Sequence, residues 1–522
     1  MNPKHINLQI VKHALLVAAL FSCFVLVNVI FWYVHCDSNI FLLLGLLASI
    51  LLGIIVYVYQ IGLLDNAQAN NVFLATLIIS CVIFVFMFPP RSIPDERHHF
   101  LSSYWLADCI TGESSLFDSS NIPLRENDYQ LCEVWSSNDI NFQSYKSILD
   151  HFELFNQSNQ MQTVHTEQFS IGSENLVTKI GSVLGILIAR LLNLGAYPLF
   201  YLGRLLNACE FILLSYSAFR IIPMGKTIVA GISILPMTLH LAASYSYDGG
   251  IIGLSLLLIA LLLKAITNNQ PISVKEMSAI CFITALLAPC KIVYASIALL
   301  LFLIPGSRFK KTSSKYAYIG IVFALACISI IGFRLTGITA LASSSTGLDF
   351  RGAESGHFYT IKSILDNPFG TIAIFFRTLI LNGDYFASTL VGGSLGWLQS
   401  TIAAPHFIVF LYYLLLIIGA QKSEDDNVDI PLPMKFVMGL IFALCVFGTM
   451  LSMFLGWTFD FEPIVMGVQG RYFLPVLTVA LLVFRWKSIF ISQHTYGFTI
   501  TGISLLNIIY GIGLVGSALA LV

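Results

Sequence analysis

Within seven residues the run Pro94-Asp95-Glu96-Arg97-His98-His99-Phe100 gathers two carboxylates, a guanidinium and two imidazoles, directly after an uncharged apolar stretch. A carboxylate within hydrogen-bond reach of a hydroxyl accepts its proton as that oxygen forms a new bond. Asp95 and Glu96 are both candidates for such a base, with Asp95 ahead. Asp, Glu and His also bind divalent ions, so Asp95, Glu96 and His99 are the set that would hold Mg2+ or Mn2+ if one is used. A bland role fits the same residues: after Pro94, Asp95 can cap a helix whose first turn holds Glu96, and the histidines can be plain loop residues. For His99 an orienting hydrogen bond to an acid is favoured over ligation.

The elements that must position this run are membrane helices. The 522 residues are 57% hydrophobic and 11% charged, with a mean hydropathy of +0.82, far from the balance of a soluble globular chain. The net charge of −1 gives no hint of nucleic-acid binding. Lys4 and Lys12 precede a first apolar run with no small-residue cleavage site, which reads as a retained helix. Uncharged runs able to cross a hydrocarbon core of about 30 Å fall near 14–34, 40–60, 72–89, 195–219, 227–243, 249–265, 278–288 with 292–305, 317–336, 404–420, 436–456, 472–485 and 497–519. Arg220 and Lys226, Lys264 and Lys275, Arg308 to Lys315, Lys422 and Lys435, and Arg485 and Lys487 occupy alternate short loops. By the positive-inside bias those loops and the N-terminus are cytoplasmic, giving an all-α integral membrane protein of about 13 crossings with an external C-terminus.

This topology divides the chain into N-terminal spans (1–89), a large external loop (90–194), central spans (195–336), a second external loop (337–403) and C-terminal spans (404–522). Between 90 and 175, thirteen acids face four Lys or Arg. Lys179 and Arg190 punctuate an otherwise apolar 176–193, as in a helix lying on the membrane surface. The second loop is rich in Gly and Ser and includes Gly392-Gly393-Ser394-Leu395-Gly396-Trp397. Cys109 and Cys132 could form a disulfide in an oxidising compartment, with Cys36 as a competing partner. The other cysteines read as small hydrophobes, and none has zinc-site spacing.

Short external turns hold few charges, so those present matter. Lys291 follows Ala288-Pro289-Cys290 at the apex of a broken hairpin, Arg471 follows Gly467-Val468-Gln469-Gly470, and Asp248 closes Ser244-Tyr245-Ser246-Tyr247. Each can be a snorkelling or capping residue at a helix end. Together with Asp95 and Glu96 on one membrane face, they read better as a site.

These landmarks resemble a known family. Pro94 to Phe100 is similar to the PDExxHF signature of a large bacterial multi-pass membrane family of unknown function, number 2142. The likeness continues through Tyr201-Leu202-Gly203-Arg204-Leu205-Leu206-Asn207, Leu235-Pro236-Met237, Ser244 to Asp248, the Lys291 hairpin, Leu395-Gly396-Trp397 and Gln469-Gly470-Arg471-Tyr472-Phe473-Leu474-Pro475, spanning about 85 to 490. Arg97 stands where the family often has proline, and could pair with an acid. In layout the family resembles the integral-membrane glycosyltransferases of GT-C type. That resemblance implies a polyprenyl-phosphate-sugar donor, a lipid-linked or polymeric envelope glycan as acceptor, such as an O-antigen or teichoic acid, and external interfacial helices over the site. It also implies a bacterial cytoplasmic (inner) membrane, with the active site on the external, periplasmic face. Asp95, Glu96 and His99 would then be catalytic. Arg204, Asp248, Lys291, Arg471 and Trp397 would hold substrate, with the cations on the phosphate. Trp397, like Tyr245, Tyr247 and Trp457, is equally suited to an interface belt. A transporter or flippase of lipid-linked glycans is the alternative from another class, and would place charges midway along spans. A glycan polymerase or ligase is the third.

Overall fold

A computed structural model describes residues 69–116, 118–166, 175–343, 357–398, 403–424, 426–491 and 495–520. The expected spans 14–34 and 40–60, and Cys36, lie outside the described residues. Among the described residues, helices dominate, and five are long and apolar enough to cross a membrane: Asn70–Met87, Ala196–Ile221, Asp248–Thr267, Thr312–Arg334 and Leu432–Trp457. Most remaining expected spans form shorter apolar segments, including His406–Ala420, the tightly wound Ile292–Leu303, and Gly470–Val483. Thr495–Ala520 is one continuous helix.

Three expectations are corrected. The single span at 227–243 is two short helices, Lys226–Ser233 and Pro236–Ala242. Pro236 lacks the N–H that would continue the first helix and suits the opening turn of the second. The all-α expectation meets one small exception in the first long loop: Asn121–Arg125 pairs antiparallel with Met161–His165, from Asn121 opposite His165 to Arg125 opposite Met161. The described part of the second external loop is helical, as Ile361–Asp366, Pro368–Leu381 and Gly383–Val391. The asparagine and threonine caps that start the first two explain this: Thr360 accepts from Ser363 N and Asn367 from Gly370 N. In addition, Cys109 and Cys132 are both free thiols.

Two cores meet at the site. The larger is built from the central and C-terminal spans. The smaller joins the motif helix Glu96–Thr111 (Phe100, Tyr104, Trp105), the two paired strands (Ile122, Leu124, Val164), helix Ile180–Leu191 (Ile186) and the N-terminal part of Ala196–Ile221 (Tyr197, Phe200). The helix Ile180–Leu191 lies against Ala196–Ile221 by presenting glycine: a Cβ on Gly185 would sit 2.5 Å from Gly203 Cα. Arg190 and Lys179, expected to reach headgroups, turn into the protein. Arg190 lies 2.7 Å from Asp108 and over the Tyr104 ring, and Lys179 bonds Ser102. Far from the motif, Arg485 makes a forked pair with Asp426 (2.7 and 2.6 Å) and Lys422 pairs with Asp429, tying together basic loops assigned to the cytoplasmic side.

Candidate active site

The span Ala69–Met87 stops at Pro89-Pro90, which cannot extend a helix. The chain turns through Arg91 and Asp95, both with positive φ (68° and 60°), into Glu96–Thr111. Asp is one of the few side-chain-bearing residues that adopts this left-handed conformation readily. Asp95 makes no side-chain cap bond, so capping is not its role here. The turn instead points the two neighbouring acids opposite ways.

Glu96 faces inward and is saturated. Its Oε1 accepts from Arg204 Nε (2.8 Å) and Tyr245 N (3.3 Å), and its Oε2 from Arg204 Nη2 (2.6 Å) and Arg91 N (2.9 Å). Arg204 spends its other donors on the carbonyls of Val85, Phe88 and Pro89, so all five guanidinium N–H groups are used. Both side chains have no exposed surface. Glu96 and Arg204, expected to meet substrate and lipid phosphate, are therefore a buried strut joining the motif turn, the arginine helix and the Tyr245 loop. Arg97 pairs with Glu133 at 2.7 Å. Trp397, expected at the substrate, donates its indole N–H to Arg91 O (3.0 Å), while Gly396 N donates to His240 Nε2 (3.2 Å). The Leu-Gly-Trp turn thus braces the same loop from the other side.

Asp95 faces outward, with 58% of its side chain exposed, and lies 3.7 Å from Arg471. Arg471 is itself only 5% exposed, and its Nε meets no hydrogen-bond partner among the described residues. A buried guanidinium with an unmet donor beside an accessible carboxylate is the opposite of the Arg204 arrangement. Lys291 bonds Asp248 at 2.8 Å and lies over the rings of Tyr472 (4.4 Å) and Tyr247 (5.3 Å). Arg334, which no sequence motif marks, donates to the carbonyls of Pro289 and Cys290 and so caps the helix end from which Lys291 projects. Lys179, expected on a surface-lying helix and not at the site, approaches Tyr247 at 5.7 Å.

His99 packs edge-on against Tyr247 at 4.7 Å, is buried, and its Nδ1 meets no partner. The expected hydrogen bond to an acid is absent from the described contacts. Burial, then the charges of Lys179, His98, Arg471 and Lys291, push its pKa well below 6.5, so the ring is neutral. Three cations (Lys179, Lys291, Arg471) against two carboxylates (Asp95, Asp248) leave one net positive charge around Tyr247 and Tyr472. Among the described residues, no group of three His, Cys, Asp or Glu converges as metal ligands. In the set Asp95, Glu96 and His99, both Glu96 oxygens are already occupied by Arg204, Arg91 N and Tyr245 N.

The fold and site define a helical membrane protein with a cluster of cations and aromatic rings beside one exposed carboxylate. Residues 78–480 match the family of predicted membrane proteins designated DUF2142, and the chain belongs to that family. No curated protein and no solved structure matches it.

Proposed function

We propose that the protein is a membrane glycosyltransferase that transfers a sugar from a polyprenyl-phosphate donor to an envelope glycan, such as an O-antigen or teichoic acid. It would work on the external face of the bacterial cytoplasmic membrane, within a GT-C-like layout of about 13 crossings. The observation that carries this reading is Arg471, a buried guanidinium with an unmet Nε donor 3.7 Å from the exposed Asp95.

In this mechanism Asp95 takes the proton of the acceptor hydroxyl as its oxygen attacks the anomeric carbon. The bond from that carbon to the phosphate oxygen breaks, and its electron pair stays on the leaving polyprenyl phosphate. Arg471 offers a forked contact to the growing charge and Lys291 a point charge. A sugar phosphodiester carries a single negative charge, which balances the single net positive charge of the cluster. Tyr247 and Tyr472 keep the cations in place and give the sugar an aromatic wall. Charges gathered at helix ends suit an enzyme better than a carrier of intact lipid-linked glycan.

The test is transfer of one labelled sugar from polyprenyl phosphate by purified protein in nanodiscs. Wild-type transfer that falls by ~10²–10⁴-fold in Asp95→Asn is the expected result. Movement of intact lipid without transfer, transfer of a whole oligosaccharide, or full activity in Asp95→Asn would each overturn the proposal.

A further inference from the structure

The outward face of helix Ile180–Leu191 is a continuous apolar stripe: Ile180, Leu184, Ile188 and Leu191 are each 40% or more exposed. Their spacing puts them on one face, opposite the buried Gly181, Gly185 and Ala189. The external domain adds two large exposed aromatics, Phe152 and Phe155, from a segment otherwise distant in sequence. Its position is set by backbone bonds. Phe155 forms a bridge with Leu194, Gly195 N donates to Leu154 O (3.0 Å), and Asn156 N to Asn193 O (2.9 Å). Gly195 admits this approach because a Cβ there would lie 2.1 Å from Glu153 O.

Residues 193–195 lead directly into Ala196–Ile221, one of the helices long and apolar enough to cross the membrane. Phe155 is therefore held at the level where that span leaves the bilayer. Nearby exposed charges are Lys146 against Asp150 and Glu153, so no basic cluster is present to attract anionic headgroups.

We propose that Phe152 and Phe155 form a lipid-embedded anchor of the external domain, dipping into the outer leaflet beside the stripe of Ile180–Leu191, while Glu153 between them accepts a hydrogen bond from Asn127 (3.2 Å). Apolar insertion, not headgroup charge, holds it there. The anchor fixes the height of the external domain over the membrane, and it stands independently of the activity proposed above.

The experiment places the photoreactive residue p-benzoylphenylalanine at Phe155 or Leu184 of the full chain in phosphatidylcholine nanodiscs, with and without added anionic lipid. Phe410, 64% exposed on His406–Ala420, serves as the lipid-facing control, and the exposed Gln160 as the aqueous one. Irradiation should give lipid adducts at 155 and 184 at a yield close to 410 and ~10-fold above 160, unchanged by salt or anionic lipid. Should the position 155 protein fail to stay monodisperse, Phe152 takes its place. Lipid adducts at 184 with only background at 155 and 152 would overturn the anchor, as would crosslinks from 155 to a second copy of the chain. Neither readout needs sugar transfer, so failure here and failure of the proposed activity are distinguishable.

Discussion

Glu96→Gln and Asp95→Asn change adjacent carboxylates by the same chemical step, and their consequences should be opposite in kind. Glu96 has no exposed side-chain surface and accepts four hydrogen bonds, two of them from Arg204. Neutralising it leaves a guanidinium buried without its counter-ion, a loss of about 3–5 kcal/mol in comparable buried pairs. Asp95 is 58% exposed and its only described ion pair is long, at 3.7 Å. Asn also tolerates the left-handed turn that residue 95 adopts, so Asp95→Asn should change stability by less than about 1 kcal/mol. The assay is the unfolding midpoint in one detergent, run beside sugar transfer on the folded fraction. Glu96→Gln should melt early yet transfer normally per folded molecule; Asp95→Asn should melt normally and barely transfer. The double change Glu96→Leu with Arg204→Met should recover part of the lost stability, since apolar partners need no counter-ion. A Glu96→Gln protein with the parental midpoint but no transfer would put Glu96 in the chemistry and refute the reasoning.

Arg471→Lys keeps the charge but loses the forked donor, and should raise the donor KM by roughly tenfold while leaving the midpoint within about 1 kcal/mol; an unchanged KM removes Arg471 from the phosphate site. His99 titrates lower when folded than when unfolded, so the unfolded chain binds the extra proton as pH falls below 6.5. The stability contribution is whole above that pH and declines below it, and His99→Gln should flatten melting curves measured between about pH 5 and 7; identical slopes in both proteins would contradict the assignment. Gly185→Val should destabilise the site's roof by at least about 1–3 kcal/mol through overpacking against Gly203, read as an earlier melt with weaker transfer, and a neutral result would mean the helices are not in that contact.

The membrane character, the positions of five long apolar helices and the ordered landmarks were legible in the sequence, because uncharged runs and scarce charges at their ends are local patterns. So was the hairpin around Lys291, where Pro289 and an isolated lysine interrupt an apolar run. The break at Pro236 was also written in the chain but was overridden in the reading by hydropathy, which is blind to a missing N–H. Sequence could not divide the labour between Asp95 and Glu96. The two acids are neighbours, and which one faces water depends on a single left-handed turn and on an arginine 108 residues away. Nor could it separate Arg204 from Arg471, since each sits near a helix end. Only the tertiary structure separates their donors, all five met in Arg204 and the buried Nε of Arg471 unmet among the described residues, because hydrogen-bond satisfaction is a property of what the fold brings within reach and not of the residue itself.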